Sequence, residues 1–323
     1  MPFSRRSQMV LATLALLAWA IPTRAADVNK FLPDDAEIVM VLNIQQILQS
    51  PFVQKHSAAH VKQLLASNEQ AKKILEALGF DPLKDLTRIT IAGSALSQDA
   101  KGAIIIEGNF DVTRFEAKAL ELAKEDSKTY KAVVEGGHKL LEIKNPADEK
   151  PAYGVMVDKN AIVFGTDKAF VLDSFDRASG KKKVALRKEI ATLIDKANQA
   201  QSMWLVAPGT IFAKSVLGEE DQAKKIIEKI DNLSIGFTIS EDFSMVMAIV
   251  TKSADAAKEI SEQLKTGLET AKGILPAITG GNKELAPLID IIGSMKVAIE
   301  NTTVTLKSEV SHEMIEKSLK KDS

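Results

Sequence analysis

The chain of 323 residues contains no cysteine. This absence excludes disulfide bridges, thiol nucleophiles, iron–sulfur clusters and zinc sites with cysteine ligands. Histidine is scarce as well, with four residues, so a site with three histidine ligands would consume nearly all of them. Aromatic residues make up 5% of the chain, the formal net charge is −1, and charges of both signs alternate along it. Nucleic-acid binding normally needs a basic face and often stacking aromatics, so this class is excluded.

Long uncharged runs are also rare, and the first of them lies at the N-terminus. Arg5-Arg6 precedes the apolar run Met9–Ile21, and small residues stand at Thr23 and Ala25. A basic N-terminal region, a short apolar core and small residues at a cleavage site are typical of a secretory signal peptide. The run is too short to cross a bilayer, which takes about 20 residues. We therefore predict residues 1–25 as a signal peptide, with a retained anchor helix as the alternative.

Cleavage after Ala25 would leave a chain exported to the periplasm or beyond, with no stable membrane span. It would remove three arginines and no acidic residue, which moves the formal net charge from −1 to −4. A mature chain of this length is enough for one large domain or two of ordinary size.

Strand and helix patterns alternate along the rest of the chain. Ile38–Leu42 is a run of strand formers, and a helix is expected from His60 to Leu78 with Gly79 as its stop. Asp111 is placed to cap the next helix, and Gly136-Gly137 to turn a hairpin. The sequence therefore predicts the α+β class.

The second half repeats the order of the first. Trp204-Leu205-Val206 matches Val39-Met40-Val41 before a helix-like stretch. A constant spacing of 142 residues separates three further pairs, namely Ile105 and Met247, Val155 and Val297, and Ile162 and Val304. A fixed period is the usual sign of an internal repeat.

We therefore predict two tandem related α+β units, each a mainly antiparallel sheet with helices on one face. The first unit would span residues 26–180 and the second residues 201–323. The lysine-rich stretch after Gly180 and the helix pattern that follows would form a linker helix over residues 181–200.

The strongest candidate for metal chemistry is the pair His56 and His60. Residues at i and i+4 lie above one another on a helix, so both imidazoles could bind Zn²⁺ in a hydrolase. A metalloprotease helix carries its general-base Glu between the two histidines, where this chain has Ser and Ala. We favour two solvated histidines at a helix junction.

Other catalytic patterns are absent from the sequence. It has no G-x-S-x-G elbow, no complete P-loop and no calcium-loop spacing. We therefore predict no catalytic residues, no cofactor-binding residues and no cofactor.

The stretch Gly273–Gly293 is apolar and interrupted by glycine and proline. It reads either as a helix break and loop packed on the second unit or as an exposed contact surface. If it is a partner surface, the contacting residues would be Ile274, Leu275, Ile278, Leu285 and Leu288.

Three stretches between Leu32 and Phe115 resemble a group of uncharacterised exported bacterial proteins. They are the Leu-Pro-Asp-Asp-Ala opening, a Gly-x-Asp-Pro turn followed by Asp85 and Ile89, and the strand "GAIIIEGNF". The resemblance implies an exported α+β protein of unassigned function and carries no catalytic residues.

The sequence thus favours an exported, non-catalytic binding or structural protein of the bacterial envelope. Its partner would be a protein or an apolar ligand, bound through a sheet face or an apolar surface. The alternatives are a metal-dependent hydrolase using His56 and His60, and a carrier of lipids or other hydrophobic molecules.

Cleavage can be tested on the exported protein. The intact mass should correspond to a chain beginning at Ala26. Ala25→Tyr should block processing, because the position before the cleaved bond requires a small residue. Val28→Tyr, just beyond the cleavage point, should be processed normally. An exported protein that keeps residues 1–25 would contradict the signal peptide.

Overall fold

The computed structural model describes residues 30–57, 69–94, 101–144, 150–209, 211, 225–226, 228–279 and 286–314. The predicted signal peptide lies outside these ranges. The strands are β1 (Ile38–Leu42), β2 (Leu86–Gly93), β3 (Gly102–Gly108), β4 (Tyr130–Glu135), β5 (His138–Ile143), β6 (Ala152–Asp158), β7 (Ala161–Gly165), β8 (Met203–Pro208), β9 (Ile230–Ile239), β10 (Phe243–Thr251), β11 (Lys296–Glu300) and β12 (Thr303–Val310). The α-helices are α1 (Ile44–Gln49), α2 (Glu69–Leu78), α3 (Pro82–Asp85), α4 (Val112–Glu125), α5 (Lys168–Ala178), α6 (Lys188–Lys196), α7 (Ala254–Thr279) and α8 (Ala286–Ser294).

All described strands belong to one antiparallel sheet. Its order is β11-β12-β10-β9-β8-β1-β2-β3-β7-β6-β5-β4, twelve strands in all. The predicted α+β class, helices with a mainly antiparallel sheet, is confirmed. The strands form one sheet instead of a separate sheet for each half of the chain, because β1 pairs directly with β8.

Neighbouring strands place their paired side chains on the same face of this sheet. Val39 pairs with Val206 and Val41 with Trp204, and we call the side on which these four lie the front face. The pair Met40 and Leu205 lies on the opposite, back face. The front-face residues are buried in one core cluster with residues of α5 and α6.

The first half of the sheet is apolar on both faces. In β3, Ile105 lies on the front face and Ile104 and Ile106 on the back; in β7, Val163 and Phe164 divide in the same way. Continuous apolar runs are typical of strands that are covered on both sides. Helices α5 and α6 contribute to the front-face core, and α4 contacts the back face. Helices therefore lie on both sides of this half.

Two strands of the second half, β9 and β12, alternate between mainly apolar residues on the back face and mainly polar residues on the front. In β9, Leu233 and Ile235 lie on the back face, and the polar Ser234 lies between them on the front. The back-face residues form a second core cluster with Ala257 and Ile260 of α7. Alternation of this kind leaves one face to water. Among the described helices, none has both the length and the apolar character that crossing a bilayer requires.

Local signals in the sequence are confirmed where the structure describes them. The Asp111 carboxylate accepts a hydrogen bond from the backbone N–H of Arg114 at 3.1 Å and caps α4. Gly79, after the end of α2, has φ +63°, and Gly136 and Gly137 in the β4–β5 turn have φ +59° and +81°. These left-handed conformations favour glycine at a helix end and in a tight hairpin.

The two halves of the sheet share a strand order, but the pairs spaced by 142 residues do not all lie on the same face. The series β1-β2-β3-β7-β6 and β8-β9-β10-β12-β11 run outward from the centre in the same order. Ile162 and Val304 share the back face, whereas Ile105 and Val155 lie on the front and their predicted counterparts on the back. A one-residue shift reverses a strand's faces, and β6 contains a bulge between Met156 and Asp158. Duplication, with its unit boundaries, stays a prediction.

A buried arginine fastens the segment before β1 to α5. Arg177 is 4% exposed, and its Nη1 donates to the backbone carbonyl of Leu32 at 2.8 Å. Its Nη2 pairs with the Asp34 carboxylate at 3.2 Å. Leu32 itself is fully buried in the front-face core. The segment therefore enters the fold through a charge-assisted contact as well as through apolar packing.

Arg177→Met should destabilise the fold by about 2–3 kcal/mol, since it removes charged hydrogen bonds from a buried carbonyl. Urea unfolding measures this loss through the midpoint at an unchanged slope. Arg187→Met is the control, because Arg187 is half-exposed and pairs with Glu37 in the same segment. A surface pair of this kind is worth less than about 1 kcal/mol. Equal losses in the two variants would contradict the role of Arg177.

Candidate functional site

An apolar cleft lies between α4 and the back face of the first half. Its volume is about 140 Å³. From α4 come Phe115, Glu116, Ala119 and Leu120; strands β4 to β7 supply Ala132, Lys139, Leu140, Leu141, Gly154, Val155, Met156, Ile162 and Phe164. Glu116 and Lys139 are the only charged residues among them.

The floor of the cleft is shaped by a glycine within a strand. Gly154 pairs with Phe164 of β7, and a Cβ at Gly154 would lie 2.6 Å from the Phe164 ring. The missing side chain lets the ring lie over the β6 backbone. Gly154→Ala would displace Phe164, so the glycine is required by close approach rather than by backbone conformation.

The helix side of the cleft is held by an aromatic cluster. Phe115 contacts Phe80 edge-on at 5.9 Å between ring centroids, and Phe110 at 5.4 Å. Phe80 and Phe110 stack at 5.2 Å. Edge-to-face and offset contacts of this kind fix ring positions. Phe115 is therefore a rigid wall of the cleft.

An ion pair lies beside the cleft. Lys139 Nζ on β5 contacts Glu116 Oε2 on α4 at 2.7 Å, and both side chains are more than a third exposed. Because the two charges neutralise each other at the surface, the interior of the cleft remains apolar. The pair also links α4 to the sheet.

A second, polar cavity of about 330 Å³ opens at the N-terminus of α5. Lys101 Nζ lies 2.7 Å from Asp167 Oδ2 and 3.9 Å from Asp35 Oδ2. Asp167 also caps α5 by accepting a hydrogen bond from the Phe170 backbone N–H at 3.2 Å. The hydrogen bond from Lys101 lowers the pKa of Asp167, and the same contact raises the pKa of Lys101. These charges stabilise the fold by pairing with each other.

The histidines fall at separate places. His56 lies near the end of the turn Val53–Ser57, and His60 lies outside the described residues, so neither the favoured pair of solvated histidines nor the alternative zinc pair is tested. His138 opens β5 and stacks on Phe175 at 3.7 Å, and His312 Nδ1 lies 3.3 Å from Asp242 Oδ1. Within the described ranges, no three His, Asp or Glu residues form a group that could hold a metal ion.

The predicted partner surface is described only in part. Ile274 on α7 is 48% exposed, and Leu275 is half-buried. Helix α7 continues through Pro276 to Thr279, so it does not end at the proline. Leu285 lies outside the described residues, as do the side chains of Ile278 and Leu288. The contact surface there stays a prediction.

Sequence reasoning missed the apolar cleft. Its parts come from α4 and from four strands, and no local pattern brings them together. One signal was available, because a glycine inside an apolar strand marks close approach of another group, and Gly154 is such a residue.

No protein-family model and no curated protein matches this chain. Among solved structures it is similar to TP0453. Crystal form III of TP0453 has a TM-score of 0.47 at 8% identity and covers 90% of this chain and 96% of that one. Crystal form I has a TM-score of 0.45 at 10% identity, covering 90% and 95%. Similarity of this degree carries no statement about what the chain binds.

The charge of Asp167 should make the free energy of unfolding depend on pH in the acidic range. Its lowered pKa means that the stabilising ionised form is fully present above the ordinary carboxyl pKa, near 4, and is lost as pH falls through the lower folded value. Asp167→Asn keeps an acceptor for the helix cap but removes the charge. In urea unfolding between pH 7 and pH 2, the free energy of unfolding should therefore fall less with acid for this variant than for the unmodified protein.

Asp195→Asn on α6 is the matched control, because among the described residues Asp195 makes no ion pair. Its free energy of unfolding should change with pH as that of the unmodified protein does. An Asp167→Asn curve that also follows the unmodified protein would show that the Lys101 contact contributes nothing.

Proposed function

We propose that this chain is an exported, non-catalytic binding protein that takes the apolar part of a small ligand into the cleft under α4. The observation that carries the proposal is the concave apolar cleft itself. It has a pre-formed floor at Gly154 and Phe164 and a fixed wall at Phe115. Export is inferred from the predicted signal peptide over residues 1–25.

The volume of the cleft sets the size of the group that it can enclose. An apolar cavity of about 150 Å³ stays dry and takes up benzene. The cleft, at about 140 Å³, is of that size and is open on one side. It would enclose one ring or a short alkyl segment and leave the remainder of the ligand outside.

The composition of the lining favours binding over chemistry. Nucleophilic and acid–base catalysis needs reactive groups within hydrogen-bonding reach of the bound molecule. The only ionisable side chains that line the cleft, Glu116 and Lys139, pair with each other. The remaining lining atoms offer contact area and no reactive group.

The flexibility of the lining also suits a ligand with an unbranched chain. Met156 on β6 lies on the back face and lines the cleft, and Leu120, which lines it from α4, is 42% exposed. Methionine adapts its unbranched side chain to irregular partners. An exposed leucine beside an apolar cleft gains burial when a ligand enters.

Binding can be followed at Met156 with methyl-labelled methionine. Decanol added to the mature protein should shift the Met156 methyl resonance saturably, with one molecule bound per chain. Ala119→Phe places a ring in the cleft and should weaken binding about tenfold or more, because it removes most of the apolar area that the ligand would bury.

Ala117→Phe is the matched control, since Ala117 is exposed on α4 and does not line the cleft. It should bind decanol as the unmodified protein does. Saturable binding that survives Ala119→Phe would place the ligand elsewhere, and no saturable shift would rule out this function for the cleft.

A further inference from the structure

The middle of the back face is apolar but incompletely covered. Over the length of β1, the strands β1, β2 and β3 have three paired back-face positions each, and these hold only isoleucine, leucine, methionine and glycine. Ile91 and Ile104, at the centre, are 38% and 42% exposed. The next residues along the same two strands, Ala92 and Ile105, lie on the front face and are 3% and 2% exposed. The two faces of these strands are thus equally apolar but unequally buried.

An apolar row crosses this face from the apolar cleft to α7. Phe164, in the floor of the cleft, pairs with Ile104, and Ile104 pairs with Ile91. Ile91 pairs with Met40, and Met40 with Leu205. Leu205 packs against the core cluster that includes residues of α7. The exposed part of the row therefore begins at the cleft and ends where α7 covers the sheet.

The length of the row is that of a hydrocarbon chain. Four strand spacings separate Phe164 on β7 from Leu205 on β8, which amounts to about 19 Å. An extended alkyl chain advances about 1.25 Å per carbon, given a C–C bond of about 1.5 Å. The row would therefore accommodate about 15 carbons at that advance per carbon. The cleft alone encloses only a short segment of such a chain.

The chemistry of the row also favours a hydrocarbon over a protein partner. Protein interfaces form about one hydrogen bond per 100–200 Å², and no polar side chain occupies the nine back-face positions of β1, β2 and β3. These three strands have neighbours on both sides, so they present no free edge to which another strand could add. An alkyl chain needs neither a hydrogen bond nor an edge.

We propose that an unbranched hydrocarbon chain binds across the back face, with one end in the apolar cleft and the remainder along Ile104, Ile91 and Met40. The proposal rests on the proposed function and names its ligand class, a free single-chain molecule such as a fatty alcohol or fatty acid. Because the row is open to water, the polar end of this molecule needs no partner in the protein.

Two methionines report the two parts of the site. Met156 lines the cleft and Met40 lies on the row, so methyl-labelled methionine follows both in one titration. Pentanol should shift only the Met156 methyl resonance, whereas dodecanol should shift both saturably. From pentanol to dodecanol, affinity should rise about twofold or more per methylene. A fully buried methylene contributes about fourfold, and the row covers the chain on one side.

A substitution on the row separates it from the cleft. Ile104→Thr keeps a β-branched residue but removes apolar area, so it should weaken dodecanol binding about threefold or more and leave pentanol binding unchanged. Ile299→Thr is the matched control. Ile299 lies on the same face, on the distant end strand β11, and is also 42% exposed. It should leave the binding of both alcohols unchanged.

The chain-length series distinguishes failure of this inference from failure of the proposed function. Pentanol binding at Met156 with no gain in affinity for longer alcohols would confine the ligand to the cleft and overturn the row alone. No saturable binding of any alcohol would overturn both. Equal losses of dodecanol affinity in Ile104→Thr and Ile299→Thr would also contradict the row.

Other occupants of the row have their own signatures, and each would overturn the alkyl chain. A dimer in sedimentation that Ile104→Thr dissociates would assign the face to a second copy. Binding to phosphatidylcholine vesicles that Ile104→Thr abolishes would assign it to a membrane. A lower urea midpoint for Ile104→Thr than for Ile299→Thr would show that the chain itself covers the face.

Discussion

The pairing of β1 with β8 is the contact on which the architecture depends, because it turns two groups of strands into one sheet. Met40 and Leu205 lie at the centre of this ladder, with Val39 opposite Val206 and Val41 opposite Trp204. Of the residues that the predicted repeat would match, Met40 and Leu205 face each other directly. An ancestral duplication would produce this arrangement, and without the pairing each half would expose a central strand edge.

The pattern of side chains along each strand decides where helices and cavities form. In β3 and β7 both faces are apolar, so helices cover both sides of the first half, and the imperfect fit of α4 leaves the apolar cleft. In β9 and β12 polar and apolar residues alternate, so α7 covers only the back face. The front faces of β9 and β12 carry mainly polar groups, and a cavity forms where the end of α6 lies beside Trp204 and β9.

Local features of this fold could be predicted from the sequence because each depends on a few adjacent residues. The α4 cap at Asp111 and the hairpin at Gly136 and Gly137 are of this kind. The single sheet could not be predicted, because the contact of β1 with β8 joins residues far apart in the chain. The cavities escaped prediction for a related reason. A tryptophan in a strand pattern indicates a core residue, and only the register that places Gly236 opposite Trp204 shows how the Gln201 side chain comes to lie on β9.

A sheet of twelve strands that does not close into a barrel has two ends, here β4 and β11, roughly 50 Å apart at the usual strand spacing. Both ends carry apolar side chains in the open, with Val134 at 72% and Ile299 at 42% exposure. Each end also carries a lysine and a glutamate, Lys131 and Glu135 on β4 and Lys296 and Glu300 on β11. Adding another chain to either end would strip water from these charges, which is how natural sheets resist growing into fibrils. A few charged side chains at the two ends thus keep neighbouring copies of the sheet from joining, while the apolar surface beside them remains accessible to smaller molecules.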